Sequence, residues 1–310
     1  MIRKILITGA TGMIGTKLVK ELVNQGALVK ILTTDPEKAK EIFRKEYAKE
    51  IYRFANYDDP SVLYKLLEDV DSIINLAGAN VAGKRWTDEY KKEIYDSRID
   101  NTKLIVDALG YCQKTPECLI NASGVGYYGF CGDEILNEDS PSGMDFLARV
   151  CRDWEGEALK AVELGVRVVN IRTGIVLDNN EGALKEMLTP FKFKIGAYQG
   201  NGKQWFSWIH IDDIIRLYIY ALQNNKIYGS VNGSTPNPVS NRKFIETLAG
   251  IKNVKIVLTV PEFVLKIVVG EFAKNLCTGQ RVEPEIAISK GFKFNFPELK
   301  PALENILTSN

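Results

Sequence analysis

The 310-residue sequence contains a single histidine, His210. A metal centre built from several imidazoles is therefore excluded, and any serine–histidine–acid arrangement has one candidate base. Cysteine is also scarce. Cys112, Cys118, Cys131, Cys151 and Cys277 are odd in number and include no Cys-x-x-Cys pair. They read as free, partly buried thiols rather than a disulfide framework or a metal site, so no metal is expected. An excess of one charge is missing too: 40 lysines and arginines face 39 acids, a net charge of +1. That removes the electrostatic case for nucleic acid or an anionic membrane as partner. No apolar run approaches the ~18 residues of a membrane span, and the opening stretch to Ile7 is too short for the core of a secretory signal. The expectation is a cytoplasmic protein with a small-molecule partner. Nothing in the residues bears on oligomeric state, and no internal repeat or low-complexity tract interrupts the chain.

What the chain does have is enough apolar residue, 45%, for one large or two modest domains. Ile5-Leu6-Ile7 is a short apolar run ending at Thr8-Gly9, as a buried parallel strand would. Ile14, Leu18, Leu22 and Val23 then recur at helical spacing over Met13 to Asn24, and Gly26 ends the helix. Leu28–Leu32 reads as a second strand, and Asp35-Pro36 as the cap and first residue of a second helix. The alternation continues with strands at Ile51–Phe54, Ser72–Leu76, Glu117–Ala122 and Val166–Ile171, and helices near 60–69, 87–112 and 143–164. This rhythm predicts an α/β fold, a doubly wound parallel Rossmann sheet over residues 1 to about 175. After Arg172 it breaks. Residues 176–310 read as a smaller α+β C-terminal domain on the sheet's C-terminal edge, with 205–225 able to pack back on the first. Helices are expected near 212–224, 241–249 and 262–270, a strand near 254–259, a loop at 232–240, and a short strand then a final helix over 291–307.

Gly9, Gly12 and Gly15 form G-x-x-G-x-x-G between the first strand and the first helix. A tight turn there needs freedom in φ, and a side chain would keep a pyrophosphate off the backbone. The helix N-terminus adds free N–H groups and a positive dipole end. Strand, spacing and helix together point to a dinucleotide. Which one is less readable. Asp35 lies where an acid would take a ribose 2′-OH, but it is also the natural cap before Pro36. Thr33 and Thr34 suit either a 2′-OH or a 2′-phosphate, and Lys38 is near enough to assist a phosphate.

The pattern "TGATGMIG" with "NLAG" (75–78) resembles the extended short-chain dehydrogenases/reductases. "KRWTDEYKKEIYDSRIDNT" (84–102), "SGVGYYG" (123–129), "RTGIVLDNNEGAL" (172–184), "QWFSWIHIDD" (204–213), "GQRVEPE" and "GFKFNFPELKPAL" narrow the likeness. They are similar to the epimerase-like atypical family of the NAD-dependent epimerase/dehydratase superfamily, which ends in a small C-terminal domain of unknown function. The likeness runs from residue 2 to about 307, with about 255–307 as the family's own C-terminal module. It implies NAD(P) binding, with phosphate contacts at Gly9, Thr11, Gly12, Met13, Ile14 and Gly15. Leu76, Ala77 and Gly78 would line the adenosine and ribose side, and Gly174 and Ile175 would lie near the nicotinamide. Members often carry Leu-Thr-Arg after the second strand, where the arginine suits a 2′-phosphate. Thr34 stands in its place here. NADP is favoured over NAD, and both stay open.

The likeness also implies a departure. Working members of the wider superfamily move a proton with Tyr-x-x-x-Lys. Aligned through Glu155, those positions fall on Leu147 and Cys151, and Arg98 replaces a helix asparagine. Replacement candidates are Ser123 at the end of the fifth strand, Tyr127 or Tyr128 in the loop after it, and Arg98, which could hold a cofactor phosphate or a substrate carboxylate, or lower a tyrosine's pKa. Each has a bland alternative: a strand-end cap, packing, a surface ion pair. Lys84-Arg85-Trp86 could clamp an anion or anchor a loop, Cys151 reads as a small buried hydrophobe, His210 as an interdomain hydrogen-bonder, and Trp205, Phe206 and Trp208 as core. Two functions fit: an NAD(P)-dependent oxidoreductase or epimerase on a small anionic or sugar-like substrate, or a catalytically weak NAD(P)H-binding sensor.

Overall fold

A computed structural model of the chain describes residues 3–43, 47 and 50–308. Residues 1 and 2, where the first domain and the family likeness begin, lie outside the described residues. Seven parallel strands make the main sheet: β1 (Lys4–Thr8), β2 (Leu28–Thr33), β3 (Glu50–Arg53), β4 (Ser72–Asn75), β5 (Cys118–Gly124), β6 (Arg167–Thr173) and β7 (Gly229–Gly233). Their order is β7-β6-β5-β4-β1-β2-β3. The order reverses direction at β1, the switch point at which such sheets bind ligands beyond their C-terminal edge. Strand alternation divides the core. Ile5 and Ile7 of β1 face α1 (Met13–Asn24) and α7 (Ile211–Gln223), while Leu6 faces Leu63, Leu67 and Ile105 on α3 (Pro60–Leu67) and α4 (Asp88–Leu109).

Two expectations are corrected. The 232–240 stretch is not all loop: Asn232 and Gly233 end β7, and Val239–Ser240 pairs with Trp205–Phe206. The main sheet therefore takes a strand from well beyond 175. Residues 291–298 form no strand. Phe292 and Phe294 instead insert singly against the first core, and Phe296 packs in the C-terminal one. Their backbone is held by a side chain: buried Asp213 accepts from the Asn295 N–H at 2.9 Å and the Phe296 N–H at 2.8 Å. Helices α2 at Pro36–Ile42, α8 at Asn241–Ile251 and α9 at Glu262–Val269 fall where expected, whereas α6 at Gly182–Leu188 and short helices at Ala273–Leu276 and Glu285–Ser289 form where none was expected.

A separate core unites Leu177, Phe206, Trp208, Phe244 and Leu248 with Leu299, Leu303 and Ile306 of the final helix. His210 bridges it to the sheet. Its Nε2 lies 3.1 Å from the Asn305 Oδ1, and its ring stacks on Phe296 at 3.9 Å. Among the described residues no helix is long and apolar enough to cross a membrane.

Candidate functional site

At the end of β1 the chain turns through Gly9, whose φ is +66°. A β-carbon there would sit 2.6 Å from the Leu76 carbonyl group, and one on Gly15 would sit 2.5 Å from the Gly9 oxygen. Internal packing thus demands glycine at both positions. Gly12 is different. It is exposed, has φ −83°, and a β-carbon would meet only the Gly9 oxygen at 3.5 Å. Nothing inside the protein requires glycine there. Gly12 is also the N-cap of α1 and brings no side chain to cap it. The first amides of a 12-residue helix therefore face an open surface without a side-chain oxygen in front of them. Thr11, Met13 and Ile14 flank this opening, half-buried, and the Lys17–Asp178 ion pair at 2.7 Å ties the loop after Leu177 to α1.

Beneath the strand ends runs a polar ladder. Thr8 donates to Asn75 at 2.6 Å, Asn75 to Asn121 at 2.8 Å, and Asn121 to Asn170 at 3.1 Å. These four are register partners on β1, β4, β5 and β6, all buried. Asn75 also donates to Thr102, which receives the Trp154 indole N–H. The ladder ties the edges that carry the site to α4 and α5 (Phe146–Leu159).

Leu76, Ala77 and Gly78 follow β4, and the first two close on Gly9. Arg98 lies against Gly78, donating to the Ala79 and Ile94 carbonyls at 3.0 and 2.9 Å, with its guanidinium 5.1 Å from the Trp154 ring. It makes no ion pair with a described carboxylate, so the surface-pair alternative is set aside. Burial holds its pKa below the ordinary arginine value. Thr33 ends β2 and Thr34 follows it. The Thr33 hydroxyl accepts from the Asp35 N–H at 3.2 Å, and the Asp35 carboxylate accepts from the Lys38 N–H at 3.1 Å. Asp35 is a helix cap.

The corner beyond β5 is charged and closed. Ser123 donates to Glu155 Oε1 at 2.6 Å. Arg172 binds both oxygens of Glu155 at 2.9 Å, and Ser230 of β7 adds a further donor. Burial opposes the Arg172 charge, but the paired carboxylate outweighs it and raises its pKa. The guanidinium also donates to the Tyr128 hydroxyl at 3.0 Å. Tyr128 is fully buried, donates to Asn232 at 2.7 Å, and has its pKa pushed by burial up to about 12. Its hydroxyl is committed on both sides, to Asn232 and to Arg172, which argues against the expectation of it as a proton donor. Tyr127 is half-buried, its ring centre 3.4 Å from the Arg172 guanidinium carbon and its hydroxyl without a described hydrogen-bond partner. Leu147 covers Gly126, and Cys151 lies beside Gly124 with burial pushing its thiol up to about 11. Gly174 and Ile175 are fixed by backbone bonds to Gly233 and Ser207. Within Lys84-Arg85-Trp86, Arg85 donates to the Ile267 carbonyl and Trp86 packs on Phe146 and Phe272, as a loop anchor would.

Sequence reasoning missed Glu155, Arg172 and Glu138. Glu138 accepts from the Asn232 and Ile286 amides while burial raises its pKa. A signal existed for two of them. Glu155 continues the Leu147–Cys151 stripe at the next i+4 position, and Arg172 follows Val168, Val169 and Ile171 near a buried strand's end.

Comparison with known proteins gives concordant matches. The model of the NAD dependent epimerase/dehydratase family matches residues 5–232, and that of a domain of unknown function, DUF1731, matches 260–306. The chain is 40% identical over 303 residues to the Epimerase family protein SDR39U1 homolog, chloroplastic, of Arabidopsis thaliana, covering 97% of this chain and 86% of that one. It is 35% identical over 304 residues to the Epimerase family protein YfhF of Bacillus subtilis, covering 98% and 97%. The crystal structure of human epimerase family protein SDR39U1 with NADPH superposes with a TM-score of 0.86 at 29% identity, covering 99% of this chain and all of that one.

Proposed function

The chain belongs to the NAD-dependent epimerase/dehydratase family, and from that membership we propose that it is a nicotinamide-dinucleotide oxidoreductase or epimerase acting on a small hydroxyl-bearing molecule of anionic or sugar-like character. The observation that carries the reading is Gly12, a glycine the fold does not need at the mouth of an uncapped helix. The cofactor is NADP or NAD. Gly9, Thr11, Gly12, Met13, Ile14 and Gly15 would hold its diphosphate, Leu76 to Gly78 with Thr33 and Thr34 its adenosine end, and Gly174 and Ile175 its nicotinamide end. When bound, the nicotinamide supplies a hydride donor or acceptor.

The chain's own residues divide the remaining work. Tyr127 would carry the substrate hydroxyl proton, because its own hydroxyl has no partner among the described residues and lies on the loop after β5. Ser123 uses its hydroxyl hydrogen in the bond to Glu155, so toward a substrate its oxygen would act only as an acceptor. Arg98, a cation with no carboxylate partner among the described residues, suits an anionic group. The test combines titration and turnover. NADPH and NADH are titrated into the wild type and Gly12→Val, and carbonyl compounds and nucleotide sugars are then screened with wild type and Tyr127→Phe. The expected result is binding lost in Gly12→Val, and turnover lost in Tyr127→Phe with binding kept.

A second reading, a dinucleotide-binding sensor with little catalysis, is favoured by Leu147 and Cys151. Neither a hydrocarbon nor a buried thiol held at about pKa 11 can replace Tyr-x-x-x-Lys. Tight cofactor binding with no turnover across the panel, unaltered by Tyr127→Phe or Ser123→Ala, decides for it.

A further inference from the structure

The family likeness leaves the cofactor's adenosine end without its usual arginine, since residue 34 is threonine. The sheet supplies one from elsewhere. β3 is the edge strand beside β2, and its last residue, Arg53, is the register partner of Thr33. Both come two residues after isoleucines, Ile31 and Ile51, that pack in the same core, so Thr33 and Arg53 leave the same face of the sheet. Neighbouring strands are about 4.8 Å apart, well within the reach of an arginine side chain. Arg53 is exposed. The ion pairs of this edge run through Lys30, Glu50, Asp69, Lys40 and Glu37 and leave out both Arg53 and Lys38 among the described residues. The acid that could have taken a ribose diol, Asp35, is turned toward its helix.

We propose that Arg53 is the specificity residue of the cofactor site, reading an adenosine 2′-phosphate from the edge strand with Thr33 as a second donor and Lys38 as an outlying charge. This rests on the dinucleotide reading above and selects NADP within it. A phosphate monoester carries close to two charges at neutral pH, and the guanidinium fork matches its oxygens two at a time. A 2′-hydroxyl offers that fork little, so the gain is confined to the phosphorylated cofactor.

The experiment titrates the full chain with NADPH, NADH, 2′,5′-ADP and 5′-AMP by calorimetry. The wild type is expected to favour NADPH over NADH by about tenfold or more. Arg53→Gln removes about tenfold from NADPH and 2′,5′-ADP and changes NADH and 5′-AMP by less than about twofold, Arg53→Lys restores part of the loss, and Lys38→Gln has a smaller effect of the same pattern. Equal weakening of all four ligands by Arg53→Gln, or a wild type that binds NADH as tightly as NADPH, overturns the assignment while leaving dinucleotide binding intact. A folded wild type, checked by circular dichroism and melting, that binds none of the four overturns the dinucleotide reading and this inference together.

Discussion

At the end of β1 the binding surface is backbone. Gly9 and Gly15 lock the turn against β4 and α1, and Gly12 leaves amides bare. Two strands away, at the end of β5, the backbone recedes and side chains fill the edge: Ser123, Glu155, Arg172, Tyr128 and Ser230 meet in one buried hydrogen-bonded cluster. The first region is open and uncharged. The second is closed and holds an ion pair with both partners at most 6% exposed. The lesson is that one sheet edge carries two kinds of preorganisation. A turn that must admit a ligand is specified by what is left out, and a corner that must hold a hydroxyl in one orientation is specified by satisfied charge. A buried pair of this kind is weak evidence for stability but strong evidence that removing one partner will hurt.

The largest effect should therefore come from the corner. Glu155→Gln leaves the Arg172 charge buried without its carboxylate and should cost about 3–5 kcal/mol in urea unfolding. Pairing it with Arg172→Met should recover part of that loss, because the two positions act as a unit. A cost below about 1 kcal/mol for the single change would mean that water reaches the corner, and the contrast with the turn would fail.

The turn should split its three glycines. Gly9→Ala and Gly15→Ala each force a β-carbon into backbone within 2.6 Å, and Gly9 does so at positive φ. Each should cost about 2–3 kcal/mol. Gly12→Ala should change stability by no more than about 0.5 kcal/mol, since its β-carbon meets only ordinary contact. Equal costs at all three would make Gly12 a packing glycine and remove its claim to a ligand.

This split also explains what could be read beforehand. Six strands were legible because each carries at least a pair of adjacent apolar residues between turn residues. β7 was not, because Gly229-Ser230-Val231-Asn232-Gly233 has one large apolar side chain, and its conformation comes from pairing with β6. Phe292, Phe294 and Phe296 alternate as strand residues do, yet the Asn295 and Phe296 amides are satisfied by Asp213 and the Phe292 amide by the Ala287 carbonyl instead of by a neighbouring strand. At the site, glycine spacing reports backbone demand directly, so the turn was visible. The Glu155–Arg172 pair was not: each is a charged residue on its own element, and only the packing of α5 on β6 makes them partners. Tyr127 and Tyr128 are adjacent and chemically equal in sequence. The fold alone buries the second and leaves the first half-open.

The smallest effect is a slope with pH, and it too belongs to the corner. Burial holds the Cys151 thiol at about 11 in the folded protein against an ordinary value of 9.0. Above pH 9 the unfolded chain gives up this proton while the folded chain keeps it. The thiol's contribution is therefore whole below pH 9 and is lost as pH rises from 9 to 11. At pH 10 the loss is about 1 kcal/mol for one such thiol. Cys118, also pushed to about 11 by burial, adds a similar fall, and Tyr128 extends the decline higher because its folded value is about 12 against 10.0. Urea unfolding at pH 8 and pH 10 measures the slope. Cys151→Ala should flatten it even though it lowers stability at both pH values, whereas Gly12→Ala should leave it unchanged, because the turn holds no group that titrates there. A slope indifferent to Cys151→Ala would mean that the thiol ionises as readily folded as unfolded, and that the corner is less closed to water than its ion pair requires.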